Sequence, residues 1–291
     1  MLLLGAHVSI SGGLDQAVKR GEQLGCTAIQ IFTKNQLQWH SQPLSSSEVN
    51  GFARSLARSP IKRVVAHASY LINLGSDETL ILEKSRQALI EEIDRADTLR
   101  IPFLIVHPGA HRSAGESNGL RRIAEQLRSI FHQRPNARTR LLLETTAGQG
   151  TNLGYRFEQL RWIIDEVGLA DRLGVCLDMC HAFAAGYEFR TREGYERTIG
   201  ELDRLIGLKN LYVIHVNDSR HPLGSRIDRH ENIGQGQIGM VGFRWIMNDP
   251  RLESIPKLLE TPGGLMQFKF NLDILKALWH PHETSQTSSQ I

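Results

Sequence analysis

Six times in this chain a short apolar run ends on a residue that can bind a cation or move a proton: VVAH at His67, FLIVH at His107, LLLE at Glu144, GVCLD at Asp178, LYVIH at His215 and PKLLE at Glu260. A lone strand-end histidine is more often a hydrogen-bonding group than a ligand. The joint pattern carries more weight. With 12 His and 31 Asp plus Glu among 291 residues, six successive ends fall on these types by chance with a probability of about 10⁻⁵, or roughly 10⁻³ if strand ends are already biased toward polar residues. Six ionisable groups facing one another away from water also carry large desolvation penalties unless cations compensate them.

Three further residues join the set. His181 lies three residues past Asp178, and Asp228 and His230 stand at i and i+2, on the same side of an extended segment. The nine candidates, five imidazoles and four carboxylates, are too many for one tetrahedral ion and suit two or three ions sharing a bridging carboxylate. Imidazole with carboxylate favours Zn²⁺, with Mn²⁺ or Fe as the alternative at one position. Such a cluster lowers the pKa of a bound water toward ~7 and neutralises a departing oxygen. Phosphodiester hydrolysis uses both functions. Ketose–aldose isomerisation on a similar scaffold needs fewer ions, so both reactions remain open at this point.

The elements that must position these residues follow from the spacing, with gaps of 40, 37, 34, 37 and 45 residues between the six run ends. A short Val-, Ile- and Leu-rich run reads as a strand buried on both faces, and each gap leaves room for a helix and two loops. That cadence predicts a parallel β/α barrel, in which the carboxyl ends of the strands surround one site. Strands at 2–9 and 28–33 precede the six. Helical patterns follow at DQAVKRGEQLG, at SSSEVNGFARSLARS with Ser45 to Ser47 as cap candidates, from about Ser76 to Leu99, and at LRRIAEQLRSIFHQ, RFEQLRWIIDEV, REGYERTIGELDRLIG, GFRWIMND and FNLDILKALW. Eight strands alternating with eight helices define an α/β fold, a single (β/α)8 TIM barrel over residues 1–280. Residues 281–291 lack apolar periodicity and are expected to be a disordered tail.

Composition narrows the class. A chain of 291 residues that is 41% apolar can bury the core of one barrel-sized domain. No run approaches the ~18 apolar residues of a membrane span, and the start MLLLGAHVSISGG lacks the basic lead of a secretory signal, so a cytoplasmic protein without a membrane partner is expected. Three cysteines, Cys26, Cys176 and Cys180, form no CxxC pair, and are read as packing groups rather than a disulfide framework. A net charge of +3 favours a polyanionic partner only weakly.

The local strings are those of a known family. AHVSISGG at 6–13, IFTKNQ at 31–36, SYLINLG at 69–75, HPGAH at 107–111, TAGQGTNLG at 146–154, GVCLDMCHAFAAGY at 174–187 and HVNDSRHPLGSRIDRH at 215–230 closely resemble endonuclease IV, the zinc-dependent apurinic/apyrimidinic endonucleases. The likeness spans about residues 2–262. It implies three zinc ions: His67, His107 and Glu144 on one, Glu144 bridging to a second held by Asp178, His215 and Glu260, and His181, Asp228 and His230 on the third. By this resemblance the bridged pair supplies the nucleophile, Glu144 also orients it as a catalytic residue, and the third ion stabilises the leaving 3′ oxygen. The implied reaction is incision 5′ of an abasic site in double-stranded DNA, leaving a 3′-hydroxyl and a 5′-deoxyribose phosphate, with removal of 3′-blocking groups. A monomer associated with the nucleoid is implied. The loops after the second and third strands would wedge into the minor groove through Gln36, Leu37, Tyr70 and Leu71. The rival reading is a sugar isomerase or epimerase of the xylose-isomerase-like barrels.

The chain departs from the family's pattern at three places. Leu37 stands where a well-known member has Arg, Met179 replaces a small hydroxyl residue, and Thr145 replaces an Asn. The last two adjoin ligands, so the hydrogen bonding that orients those ligands would differ. The run Gly148-Gln-Gly150-Thr-Asn-Leu-Gly154 lacks the spacing and the acidic residue of a dinucleotide site and reads as a tight turn. His7 is either a hydrogen-bonded core histidine or a group that contacts substrate or supports a ligand.

Overall fold

The computed structural model describes residues 1–280. The expected tail, 281–291, lies outside the described residues. Eight parallel strands close into a barrel in sequence order: β1 (Leu4–His7), β2 (Ala28–Phe32), β3 (Arg63–His67), β4 (Phe103–Val106), β5 (Arg140–Glu144), β6 (Leu173–Asp178), β7 (Leu211–His215) and β8 (Lys257–Leu259), with β8 returning to β1. The helices are α1 (Leu14–Gln23), α2 (Ser46–Ala57), α3 (Thr79–Thr98), α4 (Glu116–Gln133), α5 (Phe157–Val167), α6 (Met179–Ala185), α7 (Arg192–Leu205), α8 (Gly239–Met247) and α9 (Gly264–Leu278), of which α6 is buried at the carboxyl end of β6. The barrel predicted from the spacing is the one observed. Among the α-helices of the described residues one adds to the expected eight: α6 is too short to show periodicity, and it begins directly on the strand-end Asp178.

Local chemistry sets the boundaries. Ser45 caps α2 in a reciprocal box, accepting from the Glu48 N–H while its own N–H donates to the Glu48 carboxylate, which satisfies two donors the first turn leaves unpaired. Asp178 caps α6 by accepting from the His181 N–H at 2.8 Å.

Strand alternation builds the site. Residues two apart on a strand share a face, and Ala28, Val65, Ile105, Leu142, Cys176, Val213 and Leu258 form one buried cluster inside the barrel. Two positions further on stand Gln30, His67, His107, Glu144, Asp178, His215 and Glu260. An apolar plug therefore underlies a ring of polar groups at the carboxyl ends. On β1 the plug position is Gly5, where a Cβ would lie 1.6 Å from the Ala28 carbonyl oxygen; the next inward residue is His7. The larger apolar cluster packs the outside of the strands against the helices. Among the described residues no helix is long and apolar enough to cross a membrane.

Candidate metal centre

Three overlapping groups of donors meet at the carboxyl end of the barrel. His67, His107 and Glu144 form the first, Glu144, Asp178, His215 and Glu260 the second, and Asp178, His181 and His230 the third, with the donor atoms of each group within 4.8 Å of one another. Asp228 reaches the third group, its Oδ1 lying 3.2 Å from His181 Nε2 and 3.7 Å from His230 Nε2. All nine candidates thus converge. Glu144 joins the first two groups, with Oε2 3.1 Å from both His67 Nε2 and His107 Nε2 and Oε1 3.0 Å from His215 Nδ1. Asp178 joins the second and third through Oδ2, 3.6 Å from both His215 Nδ1 and His230 Nε2.

Four of the imidazoles are oriented by a hydrogen bond from one ring nitrogen, leaving the other nitrogen toward the donor group. His67 Nδ1 donates to the Ala68 carbonyl at 2.7 Å, His181 Nδ1 to the Thr145 carbonyl at 2.9 Å, His230 Nδ1 to the Glu260 carbonyl at 3.2 Å, and His215 Nε2 to Gln30 Oε1 at 2.7 Å. The inward nitrogens are left with lone pairs. Those of His181 and His230 lie 3.3 Å apart, repulsive for two acceptors but close to the roughly 3.3–3.4 Å between two donors on one tetrahedral cation. The donor set therefore fits divalent cations.

Electrostatics agrees with that fit. Burial opposes the charged form of Glu144 and Glu260, yet the neighbours win: Glu144 is held well below the usual carboxylate range by His107 and His215, and Glu260 by His215 and His7. Against the same burial, His181 is raised well above its ordinary value by Asp178 and Asp228, and His215 by neighbouring acidic groups that include Glu260 and Glu144. These two carboxylates stay ionised and these two imidazoles attract positive charge, either protons or metal.

Two residues that sequence reasoning passed over complete the ring. The Gln30 amide donates to Glu260 Oε1 at 2.6 Å while accepting from His215. Asn217 donates to Asp178 Oδ2 at 2.7 Å and accepts from the Glu260 N–H at 2.7 Å. Gln30 carried a signal, since it stands two residues past the plug Ala28 as each ligand does on its own strand. His7 takes the supporting role, Nδ1 lying 2.9 Å from Gln30 Nε2 and 3.3 Å from Glu260 Oε1. The Thr145 hydroxyl accepts from the Asp178 N–H at 2.8 Å. Met179 and Cys176 are fully buried, and burial pushes the thiols of Cys176 and Cys180 up to about 12, which leaves them neutral beside the carboxylates.

Loops from several strand ends shape the rim. The glycine-rich loop makes a short antiparallel ribbon, Asn152–Leu153 against Gly109–Ala110, and its Gln149 accepts from the Asp228 N–H at 2.8 Å. A second ribbon, Asp218–Ser219 against His230–Glu231, seats His230. Leu37 and Tyr70 are exposed, 72% and 54%, and Gln36 and Leu71 half-buried. The Tyr70 ring lies 5.2 Å from His67 and 5.7 Å from His107, over the first donor group. Beside it a groove of about 410 Å³ is lined by Trp39, Tyr70, Leu71, His107 and Arg112.

Fold and site together define a metal-binding barrel of the xylose isomerase-like class, and the family model for the xylose isomerase-like TIM barrel matches residues 18–278. A probable endonuclease 4 of Chloroflexus aurantiacus is 47% identical over 94% of this chain and 97% of its own. The crystal structure of endonuclease IV from Thermus thermophilus superposes with a TM-score of 0.85 at 37% identity, covering 94% of this chain and 98% of that one. A D-tagatose 3-epimerase-like protein, 19% identical with a TM-score of 0.72 over 94% and 96% of the two chains, shares the fold. The chain belongs to the endonuclease IV family and is a nuclease of that type.

Proposed function

We propose that this nuclease is a DNA-repair enzyme that hydrolyses the phosphodiester 5′ of abasic sites in double-stranded DNA, leaving a 3′-hydroxyl and a 5′-deoxyribose phosphate, and that it trims blocked 3′ ends. The observation that carries the reading is the sharing of Glu144 and Asp178 among three donor groups. In this reading three zinc ions, with Mn²⁺ as the alternative at one position, are held by His67, His107 and Glu144, by Glu144, Asp178, His215 and Glu260, and by His181, Asp228 and His230. When bound, such ions acidify a water and neutralise charge on the phosphoryl and leaving oxygens.

The side chains have their own tasks. Glu144 is the catalytic residue, its two oxygens spanning neighbouring donor groups where it would orient the attacking water. Gln30, Thr145 and Asn217 keep the donors in their working rotamers. Leu37, Tyr70 and Leu71 supply apolar surface at the rim, and Gln36 a polar tip, for filling the gap left when the abasic nucleotide leaves the stack, which is cheapest where no base has to unpair. The enzyme would act as a monomer on chromosomal DNA in the cytoplasm.

A duplex bearing one tetrahydrofuran abasic analogue tests the reading. Cleavage on the 5′ side, abolished by chelator, restored by Zn²⁺ and lost in Glu144→Gln with lesion binding retained, is the expected result. About one ion per chain by elemental analysis, with no more taken up on zinc titration, would contradict the three-ion centre. Ketose isomerisation by the loaded enzyme without DNA cleavage would instead favour the isomerase reading, which has no use for the His181, Asp228 and His230 group.

A further inference from the structure

Apart from the metal-type cluster, one buried carboxylate joins the two rim loops. Glu92 of α3 is 1% exposed. Its Oε2 accepts from the Thr33 hydroxyl at 2.6 Å, at the start of the loop after β2, and its Oε1 accepts from the Ser69 N–H at 3.3 Å, in the loop after β3. The Lys34 ammonium, also buried, lies 3.9 Å from Oε1 and donates to the Trp39 carbonyl at 2.6 Å. One helical turn on, Arg95 donates to the carbonyls of Thr33 and Gln42. The two loops are also linked directly, because the Ser69 hydroxyl donates to the Gln36 carbonyl at 2.6 Å and accepts from the Leu71 N–H at 3.2 Å.

The charges tie the unit together. Two cations, Lys34 and Arg95, hold the loop after β2 by its carbonyl oxygens, and Glu92 supplies the buried negative charge beside Lys34. A buried cation without such a partner is costly, so removing the carboxylate should release the loop rather than leave it in place. Because the same carboxylate holds Ser69, the loop after β3 is released with it.

We propose that Glu92 is the positioning residue that locks the Gln36–Leu37 tip and the Tyr70–Leu71 tip into one pre-formed surface for the DNA substrate. The substrate part of this statement rests on the proposed function. Glu92 does not touch the donor groups, so its loss should weaken engagement of the lesion and spare the chemistry.

Glu92→Gln removes the charge at nearly constant volume. The expected result is a KM for the tetrahydrofuran duplex raised about tenfold with kcat held within about twofold. Amide hydrogen exchange should accelerate together in 33–44 and 68–75 while β3 to β5 stay protected. Thr33→Val, which deletes one hydroxyl and keeps the Glu92–Lys34 pair, should shift both readouts the same way by less, and it stands in if Glu92→Gln does not fold. A fall in kcat at constant KM, or faster exchange confined to one loop, would overturn the proposal. So would loss of protection throughout the barrel in Glu92→Gln with Thr33→Val exchanging like wild type. Failure of the wild-type enzyme to bind or cut the duplex would refute the substrate reading instead, and the exchange measurement would still decide whether the loops are coupled.

Discussion

Gln30 Oε1 accepts a hydrogen bond from His215 Nε2 at 2.7 Å, leaving Nδ1 as the His215 nitrogen that faces Glu144, Asp178 and Glu260. The other end of the same amide donates to Glu260 Oε1. One uncharged side chain therefore selects the tautomer of one donor and the rotamer of another. Replacing it with Leu, of similar volume, should weaken retention of the cation shared by these donors by about 10–100-fold. Titration against a fluorescent chelator would measure this, and retention equal to wild type would remove Gln30 from the site.

Removing metal should invert the pH dependence of stability. In the metal-free protein His67, His181 and His215 are raised from their ordinary 6.5 because nearby carboxylates outweigh burial. Their contribution is fully present below pH 6.5 and is lost as pH climbs through the raised folded values. Glu144 and Glu260, depressed from 4.5, contribute above 4.5 and lose that contribution as pH falls through the depressed values. The metal-free chain should thus be most stable between about pH 4.5 and 6.5 and lose Tm above it. Metal-loaded protein, whose donors are already deprotonated, should hold its Tm to higher pH, and metal uptake should release protons. Calorimetric titration in two buffers of different ionisation enthalpy checks the proton release; superimposable Tm profiles for the two forms would contradict the account.

Much of this centre is legible in the sequence because strand alternation is rigid. Once Val65, Ile105 and Leu142 are recognised as inward-facing, His67, His107 and Glu144 must face the same way two residues on. The same rule marks Gln30, which escaped notice because an amide is a weaker cue than a histidine or a carboxylate. Asn217 gave no such cue: it lies past the end of β7 and reaches Asp178 and Glu260 only through the closure of the ring. Helix α6 gives no periodic signal for a different reason, being only seven residues long and starting on the Asp178 cap. Helical spacing puts Glu92 on the buried stripe of α3 with Ala88, Leu89 and Ala96, unlike the half-buried Glu91 beside it, but its partners Thr33, Lys34 and Ser69 are a tertiary fact.

Thr145 shows how a departure from the family pattern is accommodated. Its hydroxyl accepts from the Asp178 N–H and donates weakly to the Asp178 carbonyl at 3.3 Å, while its own carbonyl receives His181 Nδ1. Thr145→Val keeps the shape and deletes the acceptor, leaving the buried Asp178 N–H unpaired at a cost of about 1–3 kcal/mol. Thr145→Ser should restore most of it. Urea unfolding of the two variants separates the hydroxyl from the methyl group.

Tyr70 places an aromatic face at the mouth of the first donor group, its ring 5.6 Å from Phe32 and 5.2 Å from His67. Although the residue is half exposed, desolvation of its phenol, followed by the charges of Glu260 and Glu144, raises the group above its ordinary value, so the ring stays uncharged and can stack. Tyr70→Ala should weaken binding of the abasic duplex by about 1–3 kcal/mol, whereas Tyr70→Phe should bind as wild type. Equal losses in both variants would shift the role from the ring to the hydroxyl.

Leu37 is the departure with the clearest expected consequence for substrate binding. Its side chain is 72% exposed at the tip of the loop after β2, and its N–H donates to Asn35 Oδ1 at 2.9 Å, so a longer side chain can be introduced there without displacing a packed neighbour. An apolar tip contributes no counterion release, whereas one added phosphate contact steepens the slope of log K against log salt by ~0.9. Leu37→Arg should therefore bind DNA more tightly at low salt and lose that advantage as salt rises. Because phosphates carry no sequence or lesion information, the gain should apply to intact and abasic duplexes alike, lowering the ratio between them. Binding isotherms for both duplexes at several salt concentrations would show it, and an unchanged salt slope would mean that the tip of this loop does not reach the phosphate backbone.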